Sequence, residues 1–337
     1  MSRSTLLVFV LAAAGCTRNQ DAPATALEVV FVADAKWKQD EGKKEMESAL
    51  ARFPRIDLVY AHNDPMAFGA FLAAKQANRT GIRFVGVDAL PQEGVRYVQE
   101  GILDATVEYP TGGAEAIDLA LLILNGVAVP RDVILGTRVF TKADVAQGGT
   151  PIEAEGTRIV AALRAMHAAH LRPATTDHVW RLGMSQTTLD EPWRVQMNAD
   201  LRRQAKKYPQ LELIEKDAQN DTDKQRTHID EFVTQGVHLI LVSPKESITL
   251  VPAVQRARAK GIPVLVLDRR LGSEDYTCFV GGDNLAIGRA AGAVAQRLLG
   301  GRGRIVEIQG LMTSSPAQER HQGFRAGAGL PGRGTTR

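Results

Sequence analysis

Short apolar runs alternate with longer stretches of helical spacing along most of the chain. In the first part, the strand candidates 27–32 and 56–61 are followed by the helix candidates 40–53 and 66–76. The runs are continuously apolar instead of alternating with polar residues, which is typical of parallel strands covered by helices on both faces. The pattern therefore predicts an α/β fold with doubly wound parallel sheets.

The same alternation returns later in the chain, from a strand candidate at 181–185 to a helix candidate at 317–328. The earlier segment ends in an apolar run at 133–140, which predicts one final strand. Two segments of this length are each sufficient for an α/β unit with its own buried sheet. The sequence therefore predicts two lobes.

A different stretch, 146–177, separates the two segments. Its residues 148–151 are Gly-Gly-Thr-Pro, which interrupt regular structure, and 157–170 are Ala-rich with helical spacing. We interpret the stretch as a linker that carries one helix. The Gly- and Arg-rich end of the chain is predicted to be disordered. The resulting divisions are a leader, a first segment, the linker, a second segment and a tail, at 1–16, 27–145, 146–177, 178–328 and 329–337.

The first residues have the features of an export signal. Arg3 precedes an apolar run at 6–14 that is too short to span a bilayer, and Ala-Ala-Gly-Cys at 13–16 resembles a bacterial lipobox. This pattern predicts a lipoprotein anchored through Cys16. The alternative is a plain secretory signal with a chance cysteine. Cys278 is the other of the two cysteines, and its apolar surroundings predict a small core residue.

Composition excludes several classes of function. Hydrophobic residues make up 44%, charged residues 23%, and the net charge is +3 without a basic block interleaved with aromatic residues, which argues against nucleic-acid binding. The seven His residues show no metal-ligand spacing, and there is no Walker loop, nucleophile elbow or dinucleotide fingerprint. We therefore expect no metal, no cofactor and no enzymatic activity. No second long apolar segment follows the leader, so we expect one exported chain.

Polar residues follow several strand candidates, where parallel sheets bind ligands. Carboxylates and amides suit vicinal hydroxyls, and a guanidinium group offers a planar set of donors. Trp37 and Trp193 lie in predicted loops, and an indole ring can cover the apolar face of a sugar. The alternatives are structural: Asp64, directly before Pro65, suits a helix cap, and a loop tryptophan often covers core. The strand-end residues are Asn63, Asp64, Asp88, Glu108, Asp268 and Arg269.

At these residues the sequence resembles the periplasmic sugar-binding proteins of the ribose and galactose type, whose fold is shared with LacI-type regulators. It is most similar to the subset that serves sugar ABC transporters or the sensor domains of hybrid histidine kinases. The resemblance covers nearly all of 27–145 and 178–328 and implies a type I periplasmic binding protein fold, with two lobes joined by a hinge. The matching stretches include 60–70, 86–91, 109–113, 266–270, 282–284 and 315–324.

The order of the segments departs from that family. Its members begin with the equivalent of 182–185 and reach the equivalents of Trp37 and Asp88 only later, so we interpret the chain as a circular permutation. The resemblance then implies one lobe made of 178–282 with a crossing segment near 109–135. The other lobe combines 283–328 with 27–108. Two alternatives stay open: half-chains exchanged between two molecules, or a fusion of two truncated neighbours that folds poorly.

The resemblance also implies roles for individual residues. Asp268, Arg269 and Arg320 match residues that grip sugar hydroxyls, and Trp37 matches a stacking aromatic. Glu191 and Trp193 match a polar and an aromatic residue of the site, while Asn63, Asp88 and Glu108 match the amide and acids of the other lobe. The predicted ligand-binding residues are Trp37, Asn63, Asp64, Asp88, Glu108, Glu191, Trp193, Asp268, Arg269 and Arg320.

These observations predict extracytoplasmic binding of a monosaccharide or related polyol. The expected partner is an ABC permease in the inner membrane, and the location is periplasmic with a lipid anchor. A sugar-sensing module for a sensor kinase and a degenerate fused fragment are the alternatives. A hydrolase would need Asp88 and Asp268 to flank one bond, but Arg269 would hold its carboxylate neighbour ionised.

Overall fold

The computed structural model describes residues 26–172 and 179–331. The predicted leader with Cys16, the end of the linker and most of the predicted tail at 329–337 lie outside the described residues. Within the described ranges, no helix combines the length and the hydropathy that are needed to cross a membrane.

Strands and helices alternate through both segments, as the hydrophobic pattern predicts. The strands are β1 (Leu27–Asp34), β2 (Leu58–Ala61), β3 (Arg83–Asp88), β4 (Ala105–Glu108), β5 (Asp132–Leu135), β6 (Thr137–Thr141), β7 (Thr150–Ile152), β8 (Trp180–Gln186), β9 (Leu211–Asp217), β10 (Leu239–Val242), β11 (Val264–Leu267), β12 (Cys278–Gly282) and β13 (Gly303–Gln309). The α-helices are α1 (Gln39–Arg52), α2 (Asp64–Gln76), α3 (Arg96–Gln99), α4 (Gly113–Leu124), α5 (Glu155–Met166), α6 (Pro192–Ala205), α7 (Thr222–Thr234), α8 (Val251–Ala259), α9 (Asn284–Leu299) and α10 (Ser315–Gly327). A π-helical turn at Pro91–Val95 precedes α3, and a 3₁₀ turn at Val145–Gln147 precedes β7.

Two sheets define two lobes. The sheet of lobe I has the order β1-β13-β2-β3-β4-β6-β7, and its strands are parallel except for the antiparallel pairs that β6 makes with β4 and β7. Helices α1, α2, α9 and α10 pack on it. The sheet of lobe II is parallel throughout, in the order β5-β12-β11-β10-β8-β9, and α4 to α8 surround it. The prediction of two parallel-sheet lobes is confirmed.

Each sheet combines strands from both ends of the chain. In lobe I, β13 lies between β1 and β2, with Ile305 opposite Val29 on one side and Leu58 on the other. In lobe II, β5 extends the sheet beside β12, with Val133 opposite Val280. Cys278 on β12 is fully buried, as predicted, and burial raises the pKa of its thiol to about 12. The two segments therefore share both hydrophobic cores.

The predicted single strand at 133–140 is two strands that belong to different lobes. β5 pairs with β12 in lobe II, and after Gly136 the chain enters lobe I, where β6 pairs with β4. The backbone N–H of Gly136 donates to the Thr157 hydroxyl at 2.8 Å, and a Cβ at Gly136 would lie 3.0 Å from the carbonyl oxygen of Ile152. Apolar residues occur on both strands, Val133 to Leu135 on β5 and Val139 and Phe140 on β6, so hydrophobicity alone does not reveal the crossing between them.

The predicted linker at 146–177 is more structured than expected. Its residues 150–152 form β7, which pairs with β6 in lobe I. The predicted helix is present as α5, but it packs on β5 of lobe II and buries Val160 and Leu163. Arg164 of α5 donates to the buried carboxylate of Asp118 on α4 at 2.5 Å. This stretch is therefore part of both lobes.

Backbone contact between α9 and α10 positions the part of α10 that faces the other lobe. A Cβ on Gly288 of α9 would lie 2.4 Å from the carbonyl oxygen of Arg320, and a Cβ on Gly323 of α10 would lie 2.2 Å from that of Leu285. The two helices approach closely because neither position carries a side chain. This contact fixes the position of Arg320 along α10 relative to α9.

We expect Gly156→Ala to destabilise the protein. A Cβ at Gly156 would lie 2.2 Å from the carbonyl oxygen of Ile134 on β5, and overpacking of this kind costs about 1–3 kcal/mol. In a helix without such a contact, the same change would stabilise by up to about 1 kcal/mol through helix propensity. Urea unfolding measures the free energy, and Ala162→Gly on the exposed face of α5 calibrates the propensity contribution. A stabilised Gly156→Ala protein would show that α5 does not pack on β5.

Candidate functional site

Side chains from both lobes line one cavity at the carboxyl ends of the strands. The cavity contains ≈ 290 Å³ of space free of protein atoms, counting its open mouth. Lobe I contributes Trp37, Asn63, Asp88, Pro316 and Arg320, lobe II contributes Glu191, Trp193, Arg194, Asp268 and Arg269, and Tyr109 lies on the segment between them.

On lobe I, one part of the cavity wall is formed by residues that come directly after β1 and β2. Asn63 caps α2: its amide oxygen accepts from the backbone N–H of Met66 at 3.0 Å. The amide nitrogen of Asn63 donates to the carbonyl oxygen of Trp37, also at 3.0 Å. One side chain therefore fixes both the start of the helix and the loop that presents the indole ring of Trp37.

Arg320 forms the centre of the lobe I wall and is 2% exposed. Its Nε donates to the Asn284 amide oxygen at 2.9 Å, and its Nη1 donates to the His62 carbonyl oxygen at 2.6 Å. The Nη1 atom also lies 3.6 Å from Oδ1 of Asp88. The guanidinium group is 5.4 Å from the ring centroid of Trp37, within the range of a cation–π interaction.

On lobe II, the carboxylate of Asp268 is the acceptor for a set of buried donors. Its Oδ2 accepts from Nη2 of Arg194 at 2.9 Å and from the Ser243 hydroxyl at 3.1 Å. Arg194 also donates to Gln186 at 2.9 Å and to Glu191 at 3.1 Å. Asp268 and Arg194 are thus held rigidly in a water-poor environment.

Tyr109 joins the two walls. Its hydroxyl donates to Oδ1 of Asp268 at 2.9 Å, while the Arg320 guanidinium lies 4.3 Å from its ring centroid. The Trp193 ring stacks on the Tyr109 ring at 4.8 Å between centroids, and the indole N–H of Trp193 donates to the Tyr109 carbonyl oxygen at 2.8 Å. The backbone N–H of Arg270 in lobe II donates to the Ser315 hydroxyl in lobe I at 3.2 Å. These contacts hold the lobes in a closed arrangement.

Three cavity residues have backbone conformations that side chains disfavour. The φ angles are 69° at Trp37, 113° at Asp88 and 67° at Asp268. Each conformation costs about 1–3 kcal/mol and persists only where the surroundings enforce it. Because all three lie around one cavity, we infer that these strained backbone conformations serve to orient the side chains, at a cost in folding stability.

Burial and neighbouring charges shift the pKa values of Asp88 and Asp268 in opposite directions. Burial raises the pKa of Asp88 well above its usual range, although the charge of Arg320 opposes the shift. Burial would also raise the pKa of Asp268, but Arg194 and Arg269 outweigh it and lower that pKa. Burial and the charge of Arg194 lower the pKa of Arg269 to about 10. The ionised form of Asp88 is therefore poorly compensated in this structure, and further donors would lower its pKa and stabilise the anion.

The cavity contains eight of the ten predicted ligand-binding residues and excludes Asp64 and Glu108. The eight residues are Trp37, Asn63, Asp88, Glu191, Trp193, Asp268, Arg269 and Arg320. Trp193 lies in the first turn of α6.

Asp64 is fully buried beneath the cavity wall. Its oxygens accept from the Ala89 backbone N–H and the Thr106 hydroxyl, both at 2.7 Å, in space that Gly86 and Gly94 leave free. Asp64 does not have the predicted capping role. The Asn63 side chain caps α2, and Asp64 is the first helical residue. The structure therefore assigns Asp64 to the support of the Asp88–Ala89 turn.

Glu108 lines a wider cleft of ≈ 1380 Å³ on the hinge side of the cavity, which also contacts Asp88 and Tyr109. There the Glu108 carboxylate lies 3.8 Å from Nε of Arg138 at the surface. β4 ends one residue before Tyr109, so Glu108 and Tyr109 point to different sides of the strand. Tyr109 consequently occupies the position in the cavity that was predicted for Glu108.

Sequence reasoning missed Arg194, Tyr109 and Pro316. Arg194 directly follows Trp193 and is 2% exposed, and the unusual burial of an arginine is visible only in three dimensions. The Tyr-Pro-Thr-Gly-Gly stretch from 109 is part of the resemblance, and its tyrosine is the feature from which a role in the site could have been predicted. Within residues 26–172 and 179–331, no group of three or more His, Cys, Asp and Glu side chains is arranged to hold a metal ion.

Comparison with known proteins identifies one matching family. The periplasmic binding protein domain matches residues 13–127 and 182–332, which together make up well over half of the chain. The match is interrupted between these ranges, where the chain forms β5, β6, β7 and α5.

The chain spans between about a third and about half of the length of the relatives it matches. The ribose import binding protein of Bacillus subtilis is 33% identical over 143 residues, 42% of this chain and 47% of the relative. The xylitol-binding protein of Mycolicibacterium smegmatis is 34% identical over 114 residues, 34% of this chain and 33% of the relative. Among solved structures, the fructose-binding periplasmic domain of a hybrid two-component system is 39% identical with a TM-score of 0.43, covering 45% of this chain and 51% of that chain.

We expect Asp64→Asn to remove a pH dependence of folding stability. Burial raises the pKa of Asp64 to about 8, so the native state holds this proton more tightly than the unfolded chain does. The contribution of the neutral carboxyl to stability is then lost as pH rises, by at most about 1.4 kcal/mol per pH unit between about pH 4 and about pH 8. Asparagine preserves the shape without titrating: its amide oxygen can accept from the Ala89 N–H, and its amide nitrogen can donate to the Thr106 hydroxyl oxygen. In urea unfolding, the stability of Asp64→Asn relative to the wild type should increase with pH across that window, and a constant difference would contradict the assignment.

Proposed function

The chain belongs to the periplasmic binding protein domain family, and we propose that it binds one small sugar or sugar-like polyol between its two lobes. The observation that carries this proposal is the convergence of acidic, amide, guanidinium and indole groups from both lobes on one cavity. The proposal extends to the ligand-binding role of the eight predicted residues in that cavity, together with Arg194 and Tyr109.

The hydrogen-bonding capacity that remains in the cavity suits hydroxyl groups. Among the described residues, Nε of Arg269 and Nε1 of Trp37 are buried donors without a hydrogen-bond partner. The nearest charged atoms of Asp88 and Arg320 are 3.6 Å apart, which is longer than a hydrogen bond. A polyol supplies both acceptors for these donors and donors for this acid. The ring of Trp37 adds an apolar surface for the C–H face of a sugar.

A hydrolase is the less favoured alternative. The opposite pKa shifts of Asp88 and Asp268 resemble those of an acid and a nucleophile. The oxygens of Asp268, however, already accept from Arg194, Ser243 and Tyr109. A carboxylate with its lone pairs engaged in this way serves as an anchor for Arg194, and we therefore favour binding without catalysis.

We further propose that the ligand-closed form is presented to an importer of the ABC type, with a signalling partner as the alternative. Contacts made by the ligand to both lobes would stabilise closure, since only differential contacts shift a conformational equilibrium. The export signal and lipobox in the sequence support a periplasmic location and anchoring through Cys16.

Calorimetry with D-ribose, D-fructose, L-arabinose, D-galactose, xylitol and myo-inositol tests the proposal. We expect Asp88→Asn to weaken binding of the tightest of these compounds by about 10- to 100-fold, because a hydrogen bond to a charged group contributes about 1.5–3 kcal/mol. Glu108→Gln is the matched control: it neutralises the acid at the end of the next strand, β4, which lies outside the cavity, and we expect unchanged affinity. Binding of none of these compounds, or equal binding by Asp88→Asn and the wild type, would refute the proposed site.

We also propose that the segment order is a circular permutation that leaves each lobe complete within one molecule. A reordered chain, with 179–331 first and joined to 26–172 through a flexible linker, should show the same ligand preference and a monomeric mass. Permutation is tolerated where the break falls in surface connections. Sedimentation and calorimetry make the comparison. A natural chain that sediments as a dimer beside a monomeric reordered chain would indicate exchanged halves instead.

A further inference from the structure

A buried cluster of two imidazoles and one carboxylate lies directly behind the lobe I wall. Oε1 of Glu307 on β13 is 3.0 Å from Nε2 of His62 and 2.7 Å from Nδ1 of His321 on α10. The Glu307 and His62 side chains are fully buried, and that of His321 is 18% exposed. No residue of this cluster lines the cavity, so the proposed binding site leaves its chemistry unexplained.

The hydrogen-bonding pattern defines the state of the cluster. Oε1 of Glu307 lies within hydrogen-bonding distance of one nitrogen of each imidazole, and Nε2 of Gln309 lies 3.3 Å from Oε1 and 2.9 Å from Nδ1 of His321. Because an ionised carboxylate can only accept, these contacts assign one proton to Nε2 of His62 and one to Nδ1 of His321. Within the described residues, Oε2 of Glu307 and Nδ1 of His62 have no hydrogen-bond partner. An unpaired lone pair is less costly than an unpaired N–H group, so the geometry favours the neutral His62 tautomer with its proton on Nε2.

The charges around the cluster support the same state. Burial raises the pKa of Glu307, but donation from His321 and His62 outweighs it and lowers the pKa to about 2. Burial lowers the pKa of His62 despite Glu307, and the charges of Arg320 and His321 act in the same direction as burial. The neighbouring Tyr60 hydroxyl, also buried, stays protonated because its pKa is raised. Glu307 is therefore an anion facing a neutral His62.

The cluster is connected to Arg320 at both ends of that side chain. The His62 carbonyl oxygen accepts from Nη1 of Arg320 at 2.6 Å, so a fixed His62 fixes the guanidinium group. His321 directly follows Arg320 on α10, so its bond to Glu307 ties this turn of the helix to β13. His62 also precedes Asn63, and its ring lies 6.3 Å from that of Trp37. Glu307 thus supports the three lobe I residues that carry most of the cavity wall.

We propose that Glu307 is a positioning residue for ligand binding, which holds Arg320, Asn63 and Trp37 in place through His62 and His321. The proposal rests on the proposed sugar-binding function for its affinity readout. A neutral His62 is part of the same device, since a second cation behind Arg320 would repel the guanidinium group from its place beside Asp88.

The decisive comparison is between Glu307→Gln and Asp118→Asn. Glutamine keeps the size of Glu307 but removes its charge and leaves a buried amide without an acceptor. Asp118 is the matched control: it is a buried acid that accepts several hydrogen bonds in lobe II, without lining the cavity. With the panel of sugars and polyols above, we expect about a tenfold loss of affinity for Glu307→Gln, a magnitude typical of residues that orient binding groups, and none for Asp118→Asn.

A readout without ligand separates this inference from the proposed function. Nitrogen NMR of histidine-labelled protein reports the tautomer and protonation of each imidazole, and His62→Gln identifies the His62 signals. We expect the Nε2–H tautomer of His62 in the wild type and in Asp118→Asn. In Glu307→Gln, protonation of His62 should require a lower pH, because the carboxylate that favours the cation is gone.

Three outcomes would overturn the inference: a Glu307→Gln protein with wild-type affinity, equal losses in Glu307→Gln and Asp118→Asn, or a His62 titration that does not respond to Glu307. If none of the panel binds the wild type, the proposed ligand class fails while the NMR comparison still tests the cluster. Should Glu307→Gln not fold, His321→Leu removes one donor at a partly exposed position. We expect it to weaken binding in the same direction, and wild-type affinity in that variant would equally overturn the inference.

Discussion

The buried carboxylate of Asp268 is the constraint on which the meeting of the two lobes depends. Removing a charge from water is costly, and the interior compensates only when donors saturate the oxygens. Here Arg194, Ser243 and Tyr109 supply those donors. Tyr109 lies on the chain segment between the lobes and also supports the Trp193 ring. The Asp268 carboxylate therefore orients Arg194 inside lobe II and, through its hydrogen bond from Tyr109, also holds the two lobes together.

The two walls contribute differently to the cavity as a consequence. On lobe II, most hydrogen-bonding capacity of Asp268 and Arg194 is used inside the protein, so this wall is rigid before any ligand arrives. On lobe I, Asp88 is buried with incomplete compensation, and its pKa is raised. The proposed polyol ligand would supply what lobe I lacks and would meet a preformed surface on lobe II. The strained backbone at Trp37, Asp88 and Asp268 is consistent with a site built for orientation at some expense of stability.

Much of the fold could be predicted from the sequence because parallel strands and their covering helices leave periodic signals. The site was predicted less completely, for physical reasons that differ between residues. Asn63 and Asp64 are adjacent polar residues at one strand end, and only packing decides which one faces the cavity. Glu108 and Tyr109 differ by one position at the end of β4, which selects opposite sides of the strand. Arg194 and Glu307 are charged residues whose burial depends on residues far away in the sequence, and no local sequence pattern predicts it.

Chain order matters less to this architecture than strand adjacency does. β13 lies between β1 and β2, and β5 extends the sheet beside β12, although each of these neighbours is far away in sequence. Parallel pairing needs only that each connection runs across a face of the sheet, so several linear orders satisfy the same set of neighbours. The demand of the site is stricter, because Arg320 and Asp88 must share one wall while Asp268 faces them. The described part of the stretch that joins the segments, 146–172, meets this demand through β7 in one lobe and α5 in the other, and none of its residues lines the cavity. The position of the connection, more than its length, is what keeps the two halves of the site together.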